Sequence, residues 1–521
     1  MTQSRLLKRF IPAAAAVVVA GLALSGCTAH SASKASSSAD TLKTLTVQAP
    51  FLSAAPPAKD NEIGTRLEKI LGVKLDINWV PNSSYEDKTN ITLAGSDIPD
   101  VMVIQGKDPG FVKNAQAGAF WNLTKYLKDY PNLVTNSPAV QHASSVNGQV
   151  YGIYRPRDEM RTAVMLRKDW LDKLGLKVPK TTEDLYNVAK AFTEDDPDGD
   201  GKKDTYGIVV PKWPGPIGSN SPWDAIETWF GSGNLWTKQG GKLVPSYTTD
   251  NWKKALDFEK KLVSNGYVNP DFATMDSVNW NTPFMDGKGG IIIDTYSRAR
   301  QINGLLEKSD PQNYQKYVAV TGNLIGPDGT MHALPTAGYS GFLSIPKSSV
   351  KTEAQLRQVL AILNKLNSKK AQVLINNGIE GKNFTLVDGK AAAINPPTDE
   401  STQLTDTVKS YAQLGIAVNG EKFYDPKQPN AYDQAEYDHE EKMMNADLKH
   451  AVFNPAAAYV SDTYVMQGAT LDNIIGDARI KYIAGQLDQN GLTAQIQRWR
   501  SSGGDTVIKE INALYKADKN K

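Results

Sequence analysis

Two hydrophobic periods alternate along the chain after residue 43. The stretches "TLTVQAP" (44–50), "VKLDINWV" (73–80) and "PDVMVI" (99–104) have the composition and partial alternation typical of strands. Between the first two, apolar residues recur at helical spacing and stop at a glycine: Ile63, Leu67, Ile70 and Leu71 before Gly72. "SYEDKTNITLAG" predicts a second helix. This order of strands and helices indicates an α/β fold with a parallel sheet.

Ligands of parallel sheets bind beyond the carboxyl ends of the strands. The loops that follow the first and third strands, residues 51–60 and 105–108, are therefore the first candidates for lining a binding site. Lys59, Gln105 and Asp108 are the polar side chains there that we predict to contact a ligand. Ordinary connecting loops are the alternative interpretation of both segments.

A second α/β pattern starts at residue 150. "VYGIY" and "TAVMLR" predict strands, and "KDWLDKLGL" and "TTEDLYNVAKAF" predict helices. The 521 residues exceed the usual size of one hydrophobic core, so at least two lobes are expected. A hydrophobic content of 40% and a charged content of 22% are those of a soluble globular protein, which excludes a largely disordered or collagen-like chain.

The first 27 residues have the features of a secretory signal peptide. "MTQSRLLKRF" is basic, and "IPAAAAVVVAGLAL" is apolar but too short for a comfortable membrane span. "LSGC" ends at Cys27, the only cysteine of the chain, and resembles the lipobox of bacterial lipoproteins, whose cysteine carries the lipid. Residues 28–43 are rich in Ser and Ala and predict a flexible tether. We therefore expect an extracytoplasmic protein, lipid-anchored to a bacterial cell membrane; a buried structural thiol is the alternative for Cys27.

The charge pattern gives no indication of a nucleic-acid partner. The formal net charge of +2 becomes about −1 once Arg5, Lys8 and Arg9 are removed with the signal peptide, and acids and bases are interspersed. No surplus of Arg and Lys is concentrated in the candidate loops. This distribution therefore does not favour a polyanionic ligand.

The stretch "EDDPDGDGKKDTYG" (194–207) has the spacing of a calcium loop. In an EF-hand-type loop, side chains at positions 1, 3 and 5 converge on the ion, a glycine at 6 permits the turn, and position 7 offers a carbonyl. These positions are filled by Asp196, Asp198, Asp200, Gly201 and Lys202, with Asp204 at position 9. Gly207 stands where an EF-hand has a bidentate glutamate, so one ligand must come from elsewhere or from water. A solvated turn is the alternative, and magnesium fits this larger, flexible ligand shell less well.

Four segments, in order, carry a resemblance to a known family. They are "RKDWLDKLGLKVPKTTEDLY", the acidic loop that follows it, "NNGIEGKNFTLVDGKAAAIN" (376–395) and the tail that begins with "DARIKYIAG". From Cys27 onward the chain resembles the extracellular solute-binding lipoproteins of bacterial ABC importers for sugars, in particular the alginate-oligosaccharide-binding branch. The resemblance implies a two-lobed periplasmic-binding-protein-like fold, with a ligand cleft between lobes joined by several crossover segments. It also implies structural calcium in the acidic loop, although Thr205 replaces an acid of the alginate binders.

Sites for sugars pair aromatic rings with polar groups, because a pyranose has an apolar C–H face and a rim of hydroxyls. Five of the ten tryptophans lie between residues 213 and 252, partly in Gly-, Pro- and Ser-rich sequence typical of loops. Trp252 has core-like helical spacing and is assigned to packing. The predicted ligand-contacting aromatics are Trp213, Trp229, Phe230 and Trp236, to which the resemblance adds Tyr296. Arg161 and Glu380 are further polar candidates, with a hinge salt bridge and a turn carboxylate as their respective alternatives.

The predicted lobe 1 comprises residues 44–160 plus about 336–393, and lobe 2 comprises residues 161–335 plus about 394–521 with the C-terminal helices. A ligand that touches both lobes favours the closed arrangement, which a membrane permease can recognise. The sequence therefore predicts a monomeric solute-binding protein that captures an oligosaccharide and delivers it to the transmembrane subunits of an ABC importer.

Two other classes of protein remain as alternatives. The chain has no G-x-S-x-G, H-E-x-x-H or Walker A motif, and its five histidines are scattered, which argues against an enzyme. The paired carboxylates of a glycosidase, however, can lie far apart in a sequence. A surface adhesin or peptide-binding lipoprotein would share the anchor and the lobes, and its cleft would expose strand edges to the ligand.

Overall fold

The computed structural model describes residues 41–53, 55–420 and 422–518. The predicted signal peptide, Cys27 and nearly all of the predicted tether lie outside these residues. Within the described residues, no helix combines the length and the apolar character needed to cross a membrane.

The strands of the described chain are β1 (Thr44–Phe51), β2 (Lys74–Pro81), β3 (Val101–Ile104), β4 (Ile153–Pro156), β5 (Thr162–Arg167), β6 (Tyr206–Ile208), β7 (Trp236–Gln239), β8 (Lys242–Pro245), β9 (Gly289–Thr295), β10 (Val318–Thr321), β11 (Tyr339–Ser344), β12 (Phe384–Val387), β13 (Lys390–Ala393) and β14 (Pro426–Lys427). The α-helices are α1 (Glu62–Leu71), α2 (Tyr85–Ala94), α3 (Pro109–Gln116), α4 (Pro138–Ser144), α5 (Lys168–Leu174), α6 (Thr182–Glu194), α7 (Pro222–Trp229), α8 (Asp250–Ser264), α9 (Thr282–Met285), α10 (Tyr296–Ser309), α11 (Glu353–Leu366), α12 (Lys369–Asn376), α13 (Asp399–Tyr411), α14 (Ala431–Asp447), α15 (Asp462–Ile483), α16 (Gln489–Trp499) and α17 (Asp505–Ala517).

The sheet of lobe 1 has the strand order β2-β1-β3-β11-β4. β1 runs parallel to β2 and β3, whereas β11 is antiparallel to β3 and β4. The apolar stripe of α1, which includes Ile63 and Leu67, is buried in the same core as Val47 of β1. Gly72 ends this helix with φ 78°, a left-handed conformation that glycine adopts without strain. The α/β fold predicted from the two hydrophobic periods is thus confirmed.

The sheet of lobe 2 has the strand order β10-β5-β9-β6. Its strand β9 is covered on both faces, because Ile291 and Ile293 belong to one hydrophobic cluster and Ile292 belongs to another. A strand buried on both faces has a continuous apolar sequence, which explains the run "GGIII". The C-terminal helices α15, α16 and α17 pack on the first of these clusters through residues such as Leu471 and Ile511.

Two short segments join the sheets directly. Residues 157–161 connect β4 to β5, and residues 322–338 connect β10 to β11. A third passage was expected after about Ala393, but Leu404 and Val408 of α13 belong to the core of lobe 1. These side chains keep the chain with lobe 1 well beyond Ala393, and Tyr432 and Met444 of α14 pack with a core of lobe 2. The other lobe limits stay predictions.

Candidate functional site

The interlobe cleft is defined by the ends of the strands. In lobe 1, β3 ends at Ile104 and β11 begins at Tyr339, opposite Pro156 at the end of β4. In lobe 2, β5 begins at Thr162 opposite Thr295, where β9 ends. The two direct connections therefore join the carboxyl edge of the first parallel strands to one edge of the second sheet. The space beside these connections is the place where a ligand can touch both lobes.

Arg161 and Tyr296 meet at this edge, and only Arg161 keeps its side chain accessible. The backbone N–H of Tyr296 donates to the carbonyl of Arg161 at 3.0 Å, and Arg161 Nη2 donates to Ser297 Oγ at 3.0 Å. The ring of Tyr296 is 2% exposed in a core of lobe 2, and burial raises the pKa of its hydroxyl. Tyr296 begins α10 with its ring turned inward, so it offers no ring face to a ligand, contrary to the prediction.

Trp229 and Phe230 lie at the end of a helix of lobe 2 and pack within that lobe, and they do not stand in a loop. Trp229 ends α7, is 0% exposed, and donates its indole N–H to Asn323 Oδ1 at 2.9 Å. Phe230 is half-buried, with its ring centroid 5.1 Å from that of Phe258. The prediction of Trp229 as a stacking residue is wrong, because the Gly- and Pro-rich sequence lies beside α7 and not within it. The contact with Phe258 also reduces the ring surface that Phe230 can offer to a ligand.

Trp213 is the accessible tryptophan of this group. It is half-buried, donates its indole N–H to Ser219 Oγ at 2.8 Å, and stands edge-on to Trp280 with ring centroids 5.9 Å apart. Trp236 begins β7 and is largely buried, but it lines a cavity between the lobes that is described below. A ligand contact by Trp213 or Trp236 stays a prediction.

A cavity of about 490 Å³ lies between the two lobes. Lys107 and Val112 line it from lobe 1. Across from them stand the aromatic side chains of Trp236, Tyr247, Tyr459, Tyr464 and Trp499. The sequence interpretation found only Trp236 among these five, because the remaining rings come from a short turn after β8 and from C-terminal segments with no loop-like composition. Tyr464 is the exposed ring of the five, and the other four are largely buried behind the cavity surface. An apolar wall with one open ring and a few polar groups suits a sugar.

Lys107 fixes the wall of this cavity. Its ammonium donates to the carbonyls of Ala143 and Ser145, at 2.7 and 2.9 Å, and to the carbonyl of Ala457. Burial lowers the pKa of Lys107 to about 7. Ala143 and Ser145 lie at the end of α4, whereas Ala457 lies in the segment that leads into α15. The ammonium therefore ties the segment that leads into α15 to lobe 1.

Gln105 and Asp108 come together in a second cavity of about 230 Å³, beside Tyr85. Gln105 is exposed and donates its side-chain amide to Asn82 Oδ1 at 2.8 Å. Asp108 caps α3 by accepting the backbone N–H of Phe111 at 2.8 Å, which commits one carboxylate oxygen to the fold. The exposed side chains of Lys59 and Glu380 line neither of the two cavities. Their ligand contacts stay predictions.

The acidic loop brings three of its carboxylates together. Asp196, Asp198 and Asp200 each offer one oxygen, and these oxygens lie within 4.8 Å of one another. The backbone N–H groups of Gly199 and Gly201 donate to the two oxygens of Asp196 at 3.0 and 3.1 Å. Although desolvation acts in the opposite direction, these donors hold the pKa of Asp196 below its ordinary value. A convergent set of oxygen ligands fits a hard cation such as calcium.

Two lysines balance part of the charge of this loop. The Lys202 ammonium lies 2.9 Å from Asp200 Oδ2 and lowers the pKa of that carboxyl. The Lys288 ammonium lies 2.6 Å from Asp204 Oδ2. Asp204, predicted at position 9, is thus engaged by a lysine outside the cluster of three carboxylates. The predicted contribution of Lys202 through its backbone carbonyl stays a prediction.

Two lobes, a cleft at their strand ends and an aromatic cavity between them define a ligand-binding protein. The family model described as "Bacterial extracellular solute-binding protein" matches residues 52–373, and the chain belongs to that family. The family indicated by the sequence segments is therefore confirmed.

Relatives and solved structures agree with this membership. The chain is 43% identical to "Lipoprotein LipO" of Bacillus subtilis (strain 168), over 97% of this chain and 98% of that protein. It is 32% identical to "Polygalacturonan/rhamnogalacturonan-binding protein YtcQ" of the same organism, over 96% of this chain and 98% of that protein. A crystal structure of an extracellular solute-binding protein from Bifidobacterium longum subsp. infantis matches with a TM-score of 0.68 and 21% identity, over 92% of this chain and 99% of that one.

Proposed function

We propose that this protein binds an oligosaccharide in its interlobe cleft. The observation that carries the proposal is the cavity of about 490 Å³, in which five aromatic side chains stand across from lobe 1. The exposed ring of Tyr464 can cover the C–H face of a pyranose, and the polar groups of the same wall, among them Asn454 and Asp472, can bind its hydroxyls. Family membership and the 32% identity to a carbohydrate-binding relative support a sugar as the ligand.

Binding acts by closing the lobes. Lobe 1 contributes Lys107 and Val112 to the cavity, and lobe 2 contributes the rings, so a ligand held between them interacts more strongly with the closed arrangement than with an open one. The ligand shifts the population of the two arrangements by that difference in affinity. An ABC permease recognises the closed, loaded form, and no bond is made or broken in the sugar.

Cys27 holds the protein at the outer face of the cell membrane. The basic and apolar segments before it act as a signal peptide, and a lipid on the cysteine sulfur replaces a spanning helix. The Ser- and Ala-rich composition of residues 28–43 suits a tether between the lipid and the folded lobes. Replacement of Cys27 by Ser tests this step: the variant should move from the membrane fraction to the medium and lose incorporation of labelled palmitate.

The acidic loop holds a structural calcium ion. Asp196, Asp198 and Asp200 supply carboxylate oxygens, Lys202 supplies its backbone carbonyl, and water completes the shell in place of the missing glutamate. The loop connects α6 to β6, whose partner in the sheet is β9, so the ion fixes a connection within lobe 2 and takes no part in ligand binding.

Thermal unfolding against a panel of glycans tests the proposal. A ligand that binds only the folded state raises the unfolding midpoint, so one class of oligosaccharide should shift it in a concentration-dependent way. Glycine and a hexapeptide mixture serve as non-glycan controls. If peptides shift the midpoint and no glycan does, the protein is a peptide-binding lipoprotein and the sugar proposal fails.

A further inference from the structure

The interlobe cavity has apolar side chains on both of its sides. Lobe 1 contributes Val112 of α3, and the C-terminal helices contribute Val465 and Met466 of α15 and Ile511 of α17. Met466 is 75% exposed and Tyr464 is 42% exposed, so two large side chains beside the cavity are open to solvent. An exposed apolar surface that borders a cavity marks a place where an apolar group of a ligand can bind.

The polar side chains of the same wall are largely engaged within the fold. Ser461 Oγ accepts the backbone N–H of Tyr464 at 3.0 Å and donates to Glu510. The Tyr464 hydroxyl donates to Asp472 Oδ2 at 2.8 Å. The Lys107 ammonium uses its three N–H groups on three carbonyls. These groups therefore have little hydrogen-bonding capacity left for the hydroxyls of a bare sugar ring.

The hydrogen-bonding capacity that remains in the wall is mostly that of donors. Asn454 Oδ1 accepts the backbone N–H of Ala456 at 2.9 Å, which leaves the two N–H groups of its side-chain amide. Trp236 and Trp499 also line the cavity, and an indole can only donate. Asp472 keeps Oδ1 as an acceptor. A ligand group that accepts hydrogen bonds and has none to donate matches this wall best.

The titratable groups of the wall shift toward their uncharged forms. Burial comes first among the causes that raise the pKa of Asp472 and that of Tyr464. Burial also lowers the pKa of Lys107 to about 7. Such shifts are expected where apolar groups displace water. The cavity therefore disfavours charged groups, and also hydroxyls that would lose their water without gaining partners.

We infer that the oligosaccharide is O-acylated and that one of its acyl groups fills this cavity, while the sugar ring lies on Tyr464 at the open side. The inference rests on the proposed function and names the chemical class of its ligand. An ester carbonyl accepts from Asn454 and has no proton to donate, so it leaves no donor unpaired. The carbons of the acyl group pack between Val112 of lobe 1 and Ile511 of lobe 2. Acylation therefore also favours the closed arrangement.

The test compares the same sugar backbones with and without the ester. Xylotriose, mannotriose and cellotriose are titrated calorimetrically into the purified protein, each as the free glycan and with one O-acetyl group per sugar unit. We expect the acetylated form of at least one backbone to bind about 10-fold or more tightly than its free form, because one added carbon in a hydrophobic pocket has an effect of about that size. The double variant Val465→Thr/Met466→Gln keeps the size of both side chains and adds polar groups. It should reduce the preference to about threefold or less.

Val278→Thr is the matched control, because Val278 is exposed in a short helical turn and lines neither of the two cavities. It should leave the preference unchanged, and circular dichroism should show that all variants fold. Equal affinity for both forms of every backbone that binds, or a preference that survives in the double variant, overturns the inference. If free glycans bind and no acetylated form does, the inference fails and the proposed function stands. If no glycan of either form binds, both fail.

Discussion

The ammonium of Lys288 lies 2.6 Å from the carboxylate of Asp204, and this ion pair ties the acidic loop to the sheet of lobe 2. Asp204 precedes β6 and Lys288 precedes β9, and these two strands are parallel neighbours. The same ammonium lies 3.8 Å from Asp198 Oδ2. The lysine thus offsets part of the negative charge of the loop and leaves the three clustered carboxylates as the group that can receive a cation.

Calcium should stabilise the protein through this loop. At about 1 mM calcium we expect the unfolding midpoint to rise by on the order of 2 °C relative to the chelated protein, because the ion binds the folded loop alone. Asp198→Ala should abolish the rise, since it removes one of the three converging ligand oxygens. Differential scanning calorimetry with and without a chelator measures both effects.

The matched control is Asp477→Ala, which removes a carboxylate from the exposed face of α15. This variant should respond to calcium as the parent does. A midpoint that is insensitive to chelator in the parent, or a calcium response retained in Asp198→Ala, would show that residues 196–204 form only a turn.

Glu259 should make the protein less stable as the pH rises. Its side chain is 0% exposed in α8, neither carboxylate oxygen has a hydrogen-bond partner among the described residues, and burial followed by the charge of Glu227 raises its pKa well above 4.5. The folded chain therefore keeps a proton that the unfolded chain releases above about pH 4.5. Because the unfolded state binds fewer protons there, the free energy of unfolding falls as the pH rises toward the folded-state pKa.

Glu259→Gln removes this dependence. We expect the variant to match the parent near pH 4.5 and to have the higher free energy of unfolding at pH 8, because a buried amide has no proton to lose. Urea unfolding at both pH values measures the difference. Glu183→Gln, an exposed change in the first turn of α6, should follow the parent at both. A constant difference between Glu259→Gln and the parent would contradict the argument.

Arg479 should be indispensable for the packing of α15. Its Nη1 lies 2.7 Å from Asp224 and 3.3 Å from Glu227, both on α7, and all three side chains are buried. Arg479→Met leaves these carboxylates without their cation, which typically costs about 3–5 kcal/mol. The free energy of unfolding in urea measures this loss. The control is Arg498→Met on α16, because Arg498 has no ion pair among the described residues. A loss below 1 kcal/mol would show that the carboxylates are neutral without Arg479.

Local patterns in the sequence correctly predicted those features that depend only on residues close to one another in the chain. The helical spacing around Trp252 indicated core packing, and the residue is 0% exposed. The alternate spacing of Asp196, Asp198 and Asp200 indicated a cluster, and their oxygens converge. In both cases a backbone of known period places side chains that are close in sequence.

Features that depend on distant segments were beyond this reasoning. Trp229 lies in Gly- and Pro-rich surroundings, yet its indole is buried against Asn323, which is 94 residues away. The cavity receives Tyr459 and Trp499 from C-terminal segments that carry no sign of binding. Composition reports what a segment contains, whereas burial and ion pairing depend on which segments meet.

Two tryptophans predicted for the same role should separate in their effects. Trp229→Ala removes a fully buried side chain and should lower the free energy of unfolding by about 3–5 kcal/mol. Trp213→Ala removes a half-buried ring and should cost less stability, while it weakens oligosaccharide binding if the ring covers a sugar face. Calorimetric titration of the folded protein separates the two properties, since a core variant that still folds should keep the parent affinity. A loss of affinity in Trp229→Ala without a loss in Trp213→Ala would contradict the argument. It would show that Trp213 is not a ligand contact and that the core around Trp229 shapes the binding site.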